Sequence, residues 1–302
     1  MNEMPQPLVS VNWLAEHITE KDLVVLDGSV DLIPTPPYRV NTYTAYLYRH
    51  IPGAVYADIL GDLSDPAGSF AVTRPSPERA ASKFGNLGIG RSTRVVVYDA
   101  DYGQYAARLW WLLKSIGHDS VAVLDGGLKK WTEEGGEIQT GQVTPLVASY
   151  SPSPRPDMWA EKKQVLSTVH GNVEATLVNA VPLLPADVST LPDEAVTVMS
   201  TTIPSSIDVP YPSMAQRNTS MLLSAPELER YLAAVSKAKP AIVYCNSGLN
   251  APLVGLGLLR VGVPEVKVYD GSLAEWLDDP QCPTQHRTVS IRSGWTTDAK
   301  ST

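Results

Sequence analysis

One segment of the chain carries residue types suited to nucleophilic sulfur chemistry: Val243-Tyr244-Cys245-Asn246-Ser247-Gly248-Leu249-Asn250-Ala251. A β-branched run from Ala241 stops at the cysteine, a compact loop of small and polar residues follows, and the apolar stretch Pro252 to Leu259 has helical length. Strand, loop and helix in that order present one side chain at the carboxyl end of a parallel sheet. The first-turn N–H groups of the helix then point at that side chain. A thiol held there is stabilised as thiolate by the helix dipole and the loop amides, and thiolate is the attacking species. Cys245 is the candidate nucleophile. The backbone of Asn246, Ser247, Gly248, Leu249, Asn250 and Ala251 is the candidate cradle, with Gly248 supplying the backbone freedom a cradle needs. The plain alternative is a buried structural cysteine at a strand end. Cys282, between Gln281 and Pro283, reads as a bystander.

Composition narrows the classes. A chain of 302 residues is long enough for two domains, each with its own core. A net charge of −8, without a clustered basic face, gives no nucleic-acid footprint. The apolar runs fall short of a membrane span, and the Met1-Asn-Glu-Met-Pro start lacks the pattern of a signal peptide. Two cysteines make no disulfide framework, so a cytoplasmic location is expected. Five histidines and two cysteines at scattered spacing offer no metal motif, and no cofactor is implied.

The elements that must position Cys245 occur twice. Arg94-Val-Val-Val-Tyr-Asp99 corresponds to Ala241-Ile-Val-Tyr-Cys245, and each leads into an apolar helix, Tyr105 to Ile116 and Pro252 to Val261. Val121-Ala-Val-Leu-Asp125-Gly126 corresponds to Val266-Lys-Val-Tyr-Asp270-Gly271, with Trp131 and Trp276 following at the same spacing. Leu23-Val-Val-Leu-Asp27 pairs with Leu177-Val-Asn179-Ala180, and Ile51-Pro-Gly-Ala54 with Ile203-Pro-Ser-Ser206. The separation stays at roughly 145 to 152 residues, so one ancestral unit is present twice. Alternating short strands and amphipathic helices predict an α/β fold, each unit a mainly parallel sheet flanked by helices. Ser76-Pro77-Glu78 and Ser224-Ala-Pro226-Glu227 read as capped helix starts. The Ser-Pro-Ser-Pro-Arg-Pro stretch reads as an extended connector, giving units at 1–142 and 157–290. Asp125 and Asp270 read as turn-tying carboxylates. Trp110, Trp111, Trp131 and Trp276 read as packing residues.

With the duplication, the His50-Ile-Pro-Gly-Ala54 segment, the two Asp-Gly…Trp segments and the loop cysteine, the chain resembles the tandem-domain rhodanese superfamily over roughly residues 8 to 285. The resemblance implies an inactive first domain, with Asp99 at the cysteine position, and an active second one. It also implies a sulfurtransferase: a donor passes a sulfane sulfur to Cys245, and a thiol or cyanide removes it from the persulfide. The loop Cys245-Asn-Ser-Gly-Leu-Asn250 lacks basic residues and is similar to the 3-mercaptopyruvate subtype rather than the thiosulfate one. Ser247 and His50 would take the roles of the family's serine and interdomain histidine. A phosphatase reading needs a longer loop and an arginine, where Ala251 stands.

The chain departs from the family at its donor-binding arginine. The family's Asp-Ala-Arg triplet is Asn179-Ala180-Val181 here, and no Asp or Glu lies between Pro36 and Arg49 to complete a serine triad. A charged bidentate contact is worth about 1.5–3 kcal/mol per hydrogen bond. Either Arg39, Arg49, Arg74 or Arg217 substitutes, or the donor is uncharged or bulkier and meets an apolar wall at Val181. A non-catalytic persulfide carrier is the alternative from outside enzymology. The partners expected are a small sulfur donor and a thiol or cyanide acceptor, with a thioredoxin-like reductant as a further acceptor. No nucleic acid and no membrane are expected, and the chain is expected to be a monomer.

Overall fold

The computed structural model describes residues 4–33, 39–40, 42–185, 189 and 191–287, and for residues 32, 33, 39 and 40 it describes the backbone. The chain begins with β1 (Leu8–Val9), α1 (Val11–His17), β2 (Leu23–Asp27), the short hairpin β3 (Leu32–Ile33) and β4 (Arg39–Val40), and α2 (Thr42–Tyr48). It continues with β5 (Val55–Tyr56), α3 (Pro77–Asn86), β6 (Arg94–Tyr98), α4 (Gln104–Ser115), β7 (Val121–Leu124) and α5 (Gly127–Glu133). The second half runs β8 (Trp159–Ala160), α6 (Lys162–Val169), β9 (Thr176–Asn179), α7 (Asp193–Met199), β10 (Thr201–Thr202) and β11 (Ile207–Asp208). It closes with α8 (Ala225–Tyr231), β12 (Ala241–Tyr244), α9 (Ala251–Arg260), β13 (Val266–Tyr269), α10 (Ser272–Asp278) and β14 (Gln285–His286).

The duplication read from sequence is a duplication of topology. The first sheet has the order β1-β7-β6-β2-β5 and the second β8-β13-β12-β9-β11, the same arrangement, with every neighbour pair parallel. Such strands are covered on both faces, and the β-branched runs of β6 and β12 accordingly carry almost no exposed residue. Both expected helix starts are present. Arg79 N–H donates to Ser76 Oγ at 3.2 Å ahead of α3, and Ser224 and Glu227 form a reciprocal capping box ahead of α8. Residues 142–155 carry no regular element and are tied to the first half, Ser153 N–H to the Ile116 carbonyl and Arg155 N–H to the Ser115 carbonyl.

The two halves share one core. Helices α4 and α9 follow equivalent loops and pack against each other, and their side chains join a single apolar cluster drawn from both sheets. The contact is close because Gly255 of α9 leaves room for Trp111 of α4: a Cβ there would lie 2.9 Å from the indole. Trp110, Trp111, Trp131 and Trp276 are all buried, as their packing role requires. Among the described residues no helix is long and apolar enough to cross a membrane.

At the end of β6 the first half shows what its copy of the loop does. The Asp99 carboxylate turns back into the loop and accepts four backbone N–H groups: Asp101 (2.9 Å) and Gly103 (3.0 Å) on Oδ1, Tyr105 (2.9 Å) and Ala106 (2.9 Å) on Oδ2. Loop amides and the first turn of α4 thus form an anion cradle filled by the protein's own side chain. Burial pushes this carboxyl up to about 6, against the pull of the amides. Asp99→Asn, which turns an NH2 toward two of the donors, is expected to cost about 1–3 kcal/mol in urea unfolding. The folded pKa lies above the unfolded one, so the folded chain holds the extra proton between about pH 4 and 6. Asp99's contribution therefore falls as pH rises through that window, and the gap between wild type and variant should narrow across it.

Candidate active site

Cys245 directly follows β12 and is 0% exposed. Its carbonyl accepts the Leu273 N–H at 3.1 Å, and the Asn246 carbonyl accepts the Ala274 N–H at 2.8 Å, so the first turn of α10 anchors the loop from below. The first half has the same anchor, Leu128 N–H to the Asp99 carbonyl at 3.0 Å. Gly248 sits at φ +77°, and a Cβ there would lie 2.5 Å from the Asp270 carbonyl oxygen, so glycine is required for both conformation and space. Helix α9 opens at Ala251, with Pro252 in its first turn.

The two loops differ in what their amides hold. In the first, four N–H groups close on the Asp99 carboxylate. In the second, no N–H from Asn246 to Ala251 has a hydrogen-bond acceptor among the described residues. Setting Asp99 against Cys245, the donors to Asp99 correspond to the N–H groups of Ser247, Leu249 and Ala251, and the fourth falls on Pro252, which has none. These amides are left without an acceptor, and Cys245 is the residue that opens their loop.

One contributor escaped sequence reasoning. Ser272, the first residue of α10, is fully buried; its Oγ accepts the Cys245 N–H at 3.1 Å, donates to the Tyr269 carbonyl at 2.8 Å and lies 4.0 Å from Cys245 Sγ. It has φ +50°, a conformation that costs an L-residue about 1–2 kcal/mol, where the first half has Gly127 at φ +54°. A strained serine in place of the glycine is the trace the repeat left in the sequence.

Asp270 and Arg108 also lie at the site. Asp270, which the sequence reading assigned to tying a turn, pairs with Arg108 of α4 at 2.5 Å and accepts the Arg74 N–H at 2.7 Å. Asp125, its counterpart, accepts the Leu222 N–H at 2.8 Å, again from the other half. Both Asp-Gly turns therefore reach across the interface.

The residues expected to bind or activate a donor are distributed differently. His50 is 0% exposed inside the first half: its Nδ1–H donates to the Tyr46 carbonyl at 2.8 Å and its ring stacks on Tyr46 at 4.2 Å. Its backbone pairs with Gln139 and its Nε2 is buried without a partner. None of its described contacts reaches the Cys245 loop; those it makes pack it within its own turn. Ser247 is half-buried beside Cys245, and its hydroxyl makes no described hydrogen bond. Arg74 is engaged by Glu161 at 2.6 Å and lies over the Trp159 ring at 4.9 Å, and Arg217 is exposed. The side chain of Arg39 lies outside the described residues. Val181 is buried, and beside it stands an arginine that sequence spacing could not suggest. Arg287 donates to the Val181 carbonyl at 2.9 Å and the Pro182 carbonyl at 2.7 Å, with Asp208 at 2.8 Å, so its guanidinium is spent on structure.

A cleft of about 810 Å³ lies over the first half, lined among others by Asp27, Asp31, Arg49, Asp101, Tyr105 and Tyr211, and no residue from Cys245 to Ala251 lines it. Tyr211 is the second half's contribution to it: burial raises its phenol above the ordinary range, and the neighbouring Asp101 pushes it further. Of Arg49, Arg74 and Arg217, whose side chains are described, Arg49 lines this cleft. No group of three or more metal-ligating side chains occurs among the described residues.

Comparison with known proteins agrees with this architecture. The rhodanese-like domain model matches residues 10–134 and 188–279. The thiosulfate/3-mercaptopyruvate sulfurtransferase 1 of Arabidopsis thaliana is 31% identical, over 93% of this chain and 78% of its own. The thiosulfate sulfurtransferase of Bos taurus is 33% identical, over 89% and 91%. The solved structure of the 3-mercaptopyruvate sulfurtransferase SseA from Escherichia coli superposes with a TM-score of 0.74 at 30% identity, covering 89% of this chain and 99% of that one. The duplicated sheets, the loop at the end of β12 and these likenesses have one explanation: the chain belongs to the rhodanese-like family and is a two-domain sulfurtransferase.

Proposed function

We propose that the protein moves a sulfane sulfur through a persulfide on Cys245. The thiolate attacks the donor sulfur, and the bond from that sulfur to the rest of the donor breaks with its electron pair on the leaving fragment. A thiol or cyanide then takes the outer sulfur and returns Cys245 to thiolate. The observation that carries this reading is the open amide cradle around Cys245, set against the one that Asp99 fills. Preorganised N–H donors of this kind stabilise sulfur-borne negative charge without a basic side chain. Cys282 is a poor competitor: burial first, and then the neighbouring Asp279 carboxylate, push its thiol up.

The donor follows from the loop and from Val181. A loop without basic residues supports a donor of the 3-mercaptopyruvate type, a substrate that the Arabidopsis and E. coli relatives carry in their names. A second reading, an uncharged or bulkier donor, is favoured by the apolar, buried Val181 where the family's arginine would stand. Intact-mass measurement after incubation with 3-mercaptopyruvate or thiosulfate, without reductant, separates these. A reducible gain of one sulfur that disappears in Cys245→Ser supports the mechanism, and the faster donor names the subtype. A mass gain that persists in Cys245→Ser refutes the nucleophile. No gain from either donor, in a protein whose Cys245 still alkylates, favours the second reading.

Two substitutions test the cradle. Gly248→Ala forces a Cβ against the Asp270 carbonyl and strains the left-handed backbone, which costs about 1–2 kcal/mol before any clash. Persulfide formation is expected to collapse while the rest of the fold melts only slightly earlier. Ser272→Gly, the residue the first half uses, keeps the backbone conformation and removes the hydroxymethyl group with its hydrogen bonds. Loss of one hydrogen bond of about 0.5–1.5 kcal/mol predicts up to roughly tenfold slower sulfur transfer with an undiminished melting temperature.

A further inference from the structure

Arg108 has no part in the chemistry just described, yet its surroundings are unusual. It sits in α4 among Ala106, Ala107, Leu109 and Trp110 and is 1% exposed. Its guanidinium crosses into the second half, where Nη1 donates to Asp270 Oδ1 at 2.5 Å and to the Gly248 carbonyl at 3.3 Å. Nη2 donates to the Val72 carbonyl at 3.1 Å, and the Trp159 ring lies 5.3 Å from Cζ. Asp270 is 7% exposed, and its other oxygen is held by the Arg74 N–H. The ion pair is thus held by the Gly248 and Val72 carbonyls and the Arg74 N–H, with Arg108 Nε buried and unpartnered, and its contact with the Cys245 loop is the Gly248 carbonyl.

That contact sets the direction of an amide. Among the described residues the cis peptide is Gln6-Pro7, so the bond between Gly248 and Leu249 is trans, and its C=O and N–H point opposite ways. Holding the Gly248 carbonyl on Arg108 turns the Leu249 N–H away from Arg108. The first half places its left-handed residue one position later, at Gly103 (φ +90° against +77° at Gly248), and there the Gly103 N–H reaches Asp99 Oδ1 at 3.0 Å. There the carboxylate organises its own cradle. Cys245 has a neutral, shorter reach when protonated, and its loop is shaped from outside.

We propose that Arg108 is a positioning residue for sulfur transfer: through the Gly248 carbonyl and Asp270, it aims the Leu249 N–H at the Cys245 sulfur across the domain interface. The first domain then contributes to the reaction by holding the second domain's loop. This rests on the persulfide reading given above.

The test uses single-turnover persulfide formation, read by intact mass in a Cys282→Ser background. Arg108→Lys keeps the charge but not the planar fork that serves three acceptors at once. Its rate at saturating donor should fall roughly tenfold to a hundredfold, as when one preorganised donor is lost, with the half-saturating donor concentration nearly unchanged. Arg108→Met combined with Asp270→Leu replaces the buried pair by apolar side chains, an exchange that proteins tolerate. It should melt close to the parent and still show the same loss, and it serves as the test if Arg108→Lys fails to fold. A folded Arg108→Lys or double variant that forms persulfide at the parental rate overturns the proposal, as does a loss confined to donor affinity. If the Cys282→Ser parent itself forms no persulfide, the underlying reading fails and takes the proposal with it.

Discussion

Backbone N–H groups at a loop-to-helix junction need an acceptor, and this chain meets that need in two ways. After β6 the acceptor is the Asp99 carboxylate, which takes four amides. After β12 the loop amides have no acceptor and follow a cysteine whose sulfur can carry the negative charge they favour. A buried amide without a partner costs about 1–3 kcal/mol, so an open cradle is maintained only if the surrounding structure over-determines it. Here the anchors are the α10 amides beneath Cys245 and Asn246, the left-handed Ser272 and Gly248, and the Arg108–Asp270 pair behind them.

This arrangement brings the first domain to the second domain's loop. With α4 and α9 packed through the Trp111–Gly255 contact and one core running through both sheets, the halves are not free to drift apart. A buried ion pair between them is weak evidence for stability, because desolvation offsets much of the Coulomb attraction, but removing one partner leaves a stranded charge. Such a pair fixes geometry more than it adds free energy. It lies directly behind the reactive loop, where geometry is what the chemistry requires.

Much of this was legible in the sequence. The short β-branched strands, the capped helix starts at Ser76 and Ser224 and the duplicated Asp-Gly…Trp segments read correctly because each is local, or is a repeat of something local. The Cys245 loop read correctly because strand, small residues and apolar helix are contiguous. Arg108 could not be placed, since its partners Asp270 and Gly248 lie 162 and 140 residues away. Its one signal was a charge inside an otherwise apolar helix, which cannot persist buried without a counter-ion. Asp270 looked like a turn residue because its sequence neighbours are those of a turn. Ser272 looked ordinary because positive φ leaves no mark when the residue is not glycine. His50 belongs to a local motif, and its described contacts are local too, packed on Tyr46 four residues earlier.

The central claim is that Cys245 occupies an anion cradle left open for an outer sulfur. A crystal structure of the protein after donor loading tests it most directly. The account predicts extra density on Cys245 Sγ, lying over the loop where the Asp99 carboxylate lies in the first half. The Ser247, Leu249 and Ala251 N–H groups should converge on it at roughly 3.3–3.8 Å, sulfur acceptors being larger than oxygen. An unmodified Cys245 in protein shown by mass to carry the sulfur, or an outer sulfur turned away from these amides, would contradict it.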